Sequence, residues 1–308
     1  MARGSAFGIG LALAGALILT PDVVFMRWSG MSAAQMLGWR GLCMALVFVL
    51  AWGLTSRTRK SDLAALAGGA APLVVLCQAG NATLFPLGIA LAPVTPVLLG
   101  VATVPVWSAL LARVLHGERA SAATWTAIAL VLAGIALAVT DHGDAALDAG
   151  ALTGAACGLG VALALAVNFV TLRHNPQVPL LLAIGLGAFI AGCAGWIFAG
   201  PARMTQGNVP AILFTALLIL PTAFFLLSLA SRYTAAANVS LLMLLETVLA
   251  PLWVWLALGE APTGRMLAGG AVVVVTLAIY VLRPRRRERL ASVPPLPTTP
   301  PETTTPGP

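Results

Sequence analysis

The residues LHGERAS at positions 115–121 separate two long apolar runs, and a similar turn, LGEAPT, occurs at positions 258–263. The two turns are about 142 positions apart, and each is followed by another apolar run. Glycine often ends a helix in the left-handed conformation, and a glutamate near the start of the next helix favours that helix's N-terminus. We therefore interpret Gly117-Glu118 and Gly259-Glu260 as equivalent helix-connecting turns in two related halves.

A second pair of similar segments lies earlier in each half. Residues 8–27 match residues 154–173 at a shift of about 146 positions, which aligns Asp22 with Asn168. Chance similarity between helices rich in Gly, Ala and Leu is the alternative, and the paired Gly-Glu turns argue against it. We therefore expect an internal repeat over most of the chain, with small differences in loop length between the halves.

The composition identifies lipid as the solvent of most of these residues. Hydrophobic residues make up 59% of the 308, charged residues make up 9%, and the mean hydropathy is +0.96, which is outside the range of soluble globular domains. A hydrocarbon layer roughly 30 Å thick requires ~20 apolar residues per helix, so the chain has room for about ten membrane-spanning helices. The predicted spans are residues 6–26, 32–54, 64–91, 96–115, 121–140, 150–172, 179–200, 209–230, 235–258 and 266–282.

The distribution of Lys and Arg predicts the orientation of these spans. With both termini in the cytoplasm, the loops on the outer side carry only Arg27, Arg203 and Arg265, and Arg40 lies within a span. Every other Lys and Arg then falls on the cytoplasmic side, as expected for a multi-pass inner-membrane protein. The formal charge of +7 is therefore a topology signal, and we do not predict a nucleic-acid partner.

The number of helices in each half determines how the halves are related. Because five is odd, the second half enters the membrane in the opposite sense, and a two-fold axis in the membrane plane relates the halves, as in many secondary transporters. We predict an all-α polytopic membrane protein with a five-helix repeat over residues 1–142 and an inverted repeat over residues 146–283. The basic and then Pro/Thr-rich residues 284–308 are expected to form a disordered cytoplasmic tail.

The helices around the Gly-Glu turns carry a family resemblance. In the first half, a Pro-containing fourth helix ends in Gly117-Glu118-Arg119 and precedes a Gly-containing fifth helix, and the second half repeats this element from Leu245-Glu246-Thr247 to its own Gly-Glu turn. Together with Trp39-Arg40 in the second helix, these motifs resemble the EamA-type proteins of the drug/metabolite transporter superfamily over residues 8–282. Thr247 stands where family members often have proline.

The resemblance implies a ten-helix transporter of small metabolites, commonly amino acids or related compounds, that works by alternating access. We predict metabolite export, with metabolite import and proton-coupled drug export as the alternatives within transport. A membrane enzyme and a channel are the alternatives from other classes. No nucleophile motif, charged ring or carbonyl-filter motif stands out in the sequence, so we predict a transporter and not an enzyme.

Three ionisable residues inside the predicted spans are the main candidates for substrate binding or coupling. An ionisable group near the bilayer centre costs several kcal/mol unless it faces a cavity or a partner. Glu246 lies near the middle of its span, where it either binds a proton or a cationic substrate or is locked structurally. Arg40 suits a substrate carboxylate, Glu246 or Asp22. Asp22 follows Pro21 near the outer end of the first helix, where it either contacts a ligand or is solvated, and its repeat mate Asn168 is expected to donate an interhelical hydrogen bond.

Polar residues also interrupt the third predicted span. Gln78, Gly80, Asn81 and Pro86 lie around and beyond the middle of residues 64–91, and interrupted helices expose backbone groups to the substrate in secondary transporters. Gln78 and Asn81 are about one helical turn apart and are expected either to face one cavity or to join helices through hydrogen bonds.

Three tryptophans are candidates for lining a cavity. Trp107, Trp253 and Trp255 lie in the fourth helices of the two halves. Tryptophan near a helix end is also a common anchor at the membrane interface, so both interpretations stay open.

No cofactor and no metal site are predicted. The four cysteines, Cys43, Cys77, Cys157 and Cys193, lie in apolar runs, where small polarizable side chains pack readily. The expected partners are a small-molecule substrate, protons as a candidate coupling ion, and the lipid bilayer. The spacings Gly4-xxx-Gly8 and Gly154-xxx-Gly158 favour close helix packing and are compatible with a monomer or a homodimer.

Overall fold

The computed structural model describes residues 2–92, 94–139, 149–259 and 263–282. Over these residues the chain is helical and contains no strand. The first half contains α1 (Ala2–Leu19), α2 (Asp22–Ser29), α3 (Ala33–Thr55), α4 (Arg59–Leu66), α5 (Ala71–Leu91), α6 (Val94–Ala102), α7 (Val104–His116) and α8 (Ala122–Val139). The second half contains α9 (Ala149–His174), α10 (Leu180–Ala199), α11 (Val209–Phe214), α12 (Leu220–Tyr233), α13 (Ala236–Met243), α14 (Leu245–Leu258) and α15 (Gly264–Leu282).

The membrane-spanning character of these helices is confirmed. In the described part of the chain, nine helical stretches are long and apolar enough to cross a membrane, and Ala122–Ala138 is a shorter apolar helix. Several of the stretches contain two consecutive helices, since α1 with α2, α6 with α7 and α13 with α14 each make one crossing. Helices α11 and α12 also make one crossing, in which the π-helical turn Thr215–Ile219 joins them without a break. The predicted repeat boundaries at 142 and 146, the tail at 284–308 and Glu260 lie outside the described residues.

Equivalent helices of the two halves pack against each other in opposite directions. On α3, Gly38 lies opposite Gly195 of α10 and Gly41 lies opposite Gly192, so the second helix of each half runs antiparallel to its counterpart. The fifth helices, α8 and α15, are also antiparallel, because Gly134 lies opposite Gly269 near the middle of the pair while the hydroxyls of Thr124 and Tyr280 are 3.0 Å apart at one end. This antiparallel pairing is the arrangement that an inverted repeat requires.

Other contacts also join helices of one half to helices of the other. The third helix of each half packs on the first helix of the other, α5 on α9 and α12 on α1. One helix from each fourth crossing also packs against the other, α7 of the first half against α13 of the second. The two halves are therefore interleaved, and the interface between them runs through the centre of the bundle.

Three glycines of the predicted small-residue motifs, Gly8, Gly154 and Gly158, make helix contacts within the chain. A Cβ atom added to Gly8 would lie 2.8 Å from the Tyr233 Cβ atom on α12, and one added to Gly154 would lie 2.7 Å from the Ala92 Cβ atom. Gly158 approaches α6 so closely that an added Cβ atom would overlap the Val97 carbonyl. These glycines close intramolecular helix contacts, in the manner of small residues at membrane helix interfaces.

Both glycines of the Gly-Glu turns end helices as predicted. Gly117 follows α7 with φ +68°, and Gly259 follows α14 with φ +74°. Only glycine adopts these left-handed values without strain, which explains why the same residue recurs at equivalent positions.

The predicted interruption of the third helix is wrong. Helix α5 is continuous from Ala71 to Leu91 through Gln78 and Pro86. The interruption of helical structure in the predicted span comes earlier, around Gly69, where φ is +62°. A proline inside a helix removes one backbone hydrogen bond, but in α5 this loss does not end the helix. The residues Arg59–Leu66 form the separate short helix α4.

The close contact between α3 and α10 gives a testable prediction for stability. Replacing Gly41 by alanine places a Cβ atom 2.5 Å from the Gly192 Cα atom, so we expect the free energy of unfolding to fall by about 1–3 kcal/mol. The control is Gly53→Ala on the same helix, where an added Cβ atom meets nothing within 4 Å. There the better helix propensity of alanine is expected to raise stability by up to about 1 kcal/mol. Thermal unfolding of the detergent-solubilised variants checks the opposite signs, and equal shifts would contradict the packing.

Candidate functional site

Three membrane crossings are broken into two α-helices, and two of the three breaks lie beside an ionisable residue, Asp22 or Glu246. The first crossing breaks at Thr20-Pro21, between α1 and α2, and the fourth crossing of each half breaks at one residue, Thr103 in the first half and Leu244 in the second. The breaks at Thr103 and Leu244 are equivalent under the repeat. Discontinuous helices of this kind form substrate and ion sites in secondary transporters, because their half-helix ends point into the bundle.

Asp22 is the first residue of α2 and pairs with Arg40 of α3. The Arg40 Nη2 atom lies 2.8 Å from the Asp22 Oδ2 atom, and the two side chains are 19% and 3% exposed. The alternative that Asp22 is solvated near the interface is therefore wrong, because α2 continues for a further two turns and carries the carboxylate inward from the end of the crossing. Of the two protein side chains that the sequence left open as partners for Arg40, Asp22 is the one that forms an ion pair with it.

The ion pair uses only part of its hydrogen-bonding capacity. The Asp22 Oδ1 and Arg40 Nη1 atoms are buried and have no hydrogen-bond partner among the described residues. A buried carboxylate oxygen and a buried guanidinium nitrogen normally both have partners. One acceptor and one donor are therefore available at this place for a ligand.

Glu246 occupies the first turn of α14, directly after the break at Leu244. It lies close enough to interact electrostatically with both Asp22 and Arg40, and α14 packs against α2. Asp22 lies in the first turn of α2 and Glu246 lies in the first turn of α14. The helix dipole favours negative charge at both positions. With all three groups ionised, Asp22, Arg40 and Glu246 together carry one negative charge in excess.

Trp253 connects α14 to the break in the first crossing. Its indole nitrogen donates a hydrogen bond to the Thr20 Oγ1 atom at 2.8 Å, and Thr20 Oγ1 donates to the Leu17 carbonyl at 2.8 Å. Sequence reasoning missed Thr20, and its position directly before Pro21 was the available signal. The other two tryptophans are not brought to this place by any contact among the described residues: Trp255 is exposed and Trp107 is partly buried against the core.

Gln78 and Asn81 lie on the continuous helix α5. Gln78 is buried against Gly187 of α10, and its Oε1 atom has no hydrogen-bond partner among the described residues. Asn81 is partly buried one turn further along. In the described part of the chain, no hydrogen bond or ion pair links either residue to Asp22, Arg40 or Glu246, so their membership of one cavity stays a prediction.

The interhelical hydrogen bond expected from Asn168 is wrong. The side chain is buried in α9, and neither its Oδ1 atom nor its Nδ2 atom has a hydrogen-bond partner among the described residues. Two nearby residues on the same helix, Ala166 and Phe169, are apolar and fully buried. The repeat thus aligns a charged, half-paired residue in the first half with a neutral, unpaired one in the second.

The described part of the chain holds no group of three His, Cys, Asp or Glu side chains arranged for a metal ion. The four cysteines are free thiols.

Comparison with known proteins agrees with this architecture. The EamA-like transporter family matches residues 6–140 of the chain. A solved crystal structure shares the fold with a TM-score of 0.72 at 16% sequence identity, over 91% of this chain and 98% of the other. No curated protein matches the chain.

The family match and the helical architecture point to the same class of protein. The match covers the first five-helix repeat, and the second half packs against it as an inverted counterpart over a fold that is shared along almost the whole length. Residues 6–140 are therefore similar to the EamA-like transporter family, and the helices of the described part of the chain are those of a multi-pass membrane protein.

Proposed function

We propose that the chain exports a small amine-bearing metabolite, such as an amino acid or a related compound, by alternating access. The observation that carries this proposal is the group formed by Asp22, Arg40 and Glu246, with an unpartnered carboxylate oxygen and an unpartnered guanidinium nitrogen. A carboxylate oxygen accepts hydrogen bonds from an ammonium group, and a guanidinium nitrogen donates to a carboxylate. A zwitterion is complementary to both.

The excess negative charge of this group supports coupling to protons. Uncompensated charge away from water is unfavourable, so either a proton on Glu246 or the ammonium group of a substrate stabilises the site. Because both occupants relieve the same charge, they compete. A site that holds one or the other, and opens alternately to the two sides, exchanges protons for substrate.

The same competition supports export from the cytoplasm. We place the protein in the inner membrane with both termini in the cytoplasm. The basic residues near the predicted cytoplasmic ends of the crossings are exposed, namely Arg57, Arg59, Lys60, Arg113 and Arg119. Protons entering from the outer side would then displace substrate outward.

The test is solute flux in vesicles that contain the purified protein. We expect a pH gradient to drive net transfer of one or more amino acids from a mixture, with no transfer in vesicles that lack the protein. Chemical conversion of a solute without net transfer would overturn the proposal in favour of an enzyme. Transfer that follows only the solute gradient, at rates far above those of carriers, would favour a channel.

Proton-coupled export of a lipophilic amine is the second candidate, because the site has two carboxylates and one guanidinium. The two candidates differ in their need for Arg40. Transport of an amino acid and of the amine that lacks its carboxyl group separates them: if the amine is transported equally well, the guanidinium does not recognise substrate.

A further inference from the structure

A turn of the first half is held by an ion pair against the first helix of the second half. The Arg173 Nε atom donates to both carboxylate oxygens of Glu118, at 2.9 and 3.1 Å. The His174 Nε2 atom lies 3.4 Å from the Glu118 Oε1 atom, and the His174 ring stacks on the His116 ring with 3.5 Å between centroids and 5° between planes. We call the contact of Glu118 with Arg173 and His174 the clasp.

The clasp is not explained by the role that the sequence suggested for Glu118. Helix α8 begins at Ala122, and Ser121 caps it by accepting a hydrogen bond from the Thr124 backbone at 3.1 Å. Glu118 is therefore not needed at the start of α8. The left-handed Gly117 turns the chain at the end of α7, and the carboxylate meets α9 across the boundary between the two halves.

Small side chains close the bundle directly behind the clasp. Ala109 and Ala112 of α7 face Ala236 and Ala237 of α13 around a space of about 40 Å³ that Glu118 also lines. All four alanines are buried. Methyl groups interdigitate little, so few van der Waals contacts are lost when the two helices separate. Among the described residues, the clasp is then the charged contact that this part of the interface must break in order to open.

We propose that the clasp holds a gate closed at one end of the bundle. This is the end where α7 and α9 terminate, which is predicted to face the cytoplasm. The inference rests on the proposed alternating access, for which this end must open and close. Glu118 belongs to the first half and Arg173 to the second, so their separation is required whenever α7 moves away from α9 and α13. The two side chains are 33% and 26% exposed, and a partly exposed pair is weak enough to break during each cycle.

The experiment measures opening directly, without substrate. Ala112→Cys places a thiol behind the clasp, and its reaction with a membrane-impermeant maleimide is followed in vesicles exposed from either side, with the protein lacking Ala112→Cys as the blank for the four native cysteines. Adding Glu118→Gln is expected to raise the labelling rate roughly two- to fivefold, as for the loss of a partly exposed ion pair. The increase is expected only from the side where α7 and α9 end.

Matched variants keep this test specific. Arg113→Gln removes an exposed charge from the same helix and is expected to leave the labelling rate unchanged. Exchanging the pair, Glu118→Arg with Arg173→Glu, is expected to restore slow labelling. Unchanged labelling in Glu118→Gln overturns the proposal, as does equal acceleration by Arg113→Gln. Should Glu118→Gln fail to fold, Arg173→Lys keeps the charge but loses the forked contact, and unchanged labelling there also counts against the clasp.

The outcome is separable from that of the transport proposal. Faster labelling in Glu118→Gln with no solute flux in vesicles supports the gate and rejects the proposed function. Solute flux in vesicles with unchanged labelling in Glu118→Gln supports the proposed function and shows that the clasp does not keep the gate closed.

Discussion

Replacing Glu246 by glutamine is expected to abolish pH-driven transport and to leave the protein folded. Glutamine has nearly the same size as glutamate and keeps an acceptor oxygen at the first turn of α14, but it cannot bind and release a proton. The excess negative charge beside Asp22 and Arg40 disappears with it. Coupling free energies of about 1–3 kcal/mol correspond to changes of roughly 5- to 150-fold. We therefore expect pH-driven flux to decrease by at least this factor, down to the background level.

The measurement compares two kinds of flux in vesicles. Uptake or efflux driven by an imposed pH gradient is expected to be lost in Glu246→Gln, whereas exchange of labelled for unlabelled substrate at equal pH is expected to persist. A pH dependence equal to that of the unchanged protein would exclude Glu246 as the coupling group. Loss of both kinds of flux in a folded protein would instead assign Glu246 to substrate binding.

Asp62→Asn is the control for the loss of a carboxylate. Asp62 lies on α4, outside the membrane crossings, where hydrogen bonds from Ser56, Trp52 and Thr58 hold the pKa of its carboxyl below its ordinary value. The group therefore stays ionised over the neutral range and takes no part in proton exchange there. We expect Asp62→Asn to leave the pH dependence of transport unchanged.

The architecture followed from the sequence because lipid imposes strong rules on it. Apolar runs of membrane length, the side on which Lys and Arg occur and the repeated Gly-Glu turns each depend on local composition. They sufficed to predict an all-α bundle of about ten crossings in two inverted halves. The same local rules failed at α5, where Gln78, Gly80 and Pro86 suggested a break. A helix tolerates one proline when its neighbours pack well, and that packing is not written in the local sequence.

The partners of the ionisable residues depended on contacts between distant parts of the chain. Spacing predicted the depth of Asp22, Arg40 and Glu246 only to within about a turn, which left three pairings for Arg40. The choice of Asp22 depends on the break at Thr20-Pro21, which starts a new half-helix with the carboxylate at its N-terminus. Glu118 was interpreted as a local helix signal for the same reason, since its contact with Arg173 exists only once the halves are packed.

Loss of one member of the Asp22–Arg40 pair is expected to have the largest effect on stability. Asp22→Ala leaves a guanidinium without its carboxylate in a site where Arg40 is only 19% exposed. Removing one partner of a buried pair costs roughly 3–5 kcal/mol, because the other charge stays buried and uncompensated. We therefore expect Asp22→Ala to lower the unfolding temperature in detergent sharply, and Arg40→Gln to do the same through the two carboxylates that remain.

Paired substitutions separate the structural role of this ion pair from substrate recognition. Asp22→Asn combined with Arg40→Gln removes both charges together, so the double variant is expected to recover much of the stability that each single variant loses. If the pair only holds α2 against α3, transport recovers with stability. If the unpartnered Asp22 Oδ1 and Arg40 Nη1 atoms bind substrate, the double variant folds but does not transport. Arg40→Lys sharpens the distinction, because lysine keeps the charge but lacks the second nitrogen, which has no hydrogen-bond partner among the residues that the structure describes. A folded Arg40→Lys protein with unimpaired amino-acid transport would therefore rule out recognition of the substrate carboxylate by the guanidinium fork.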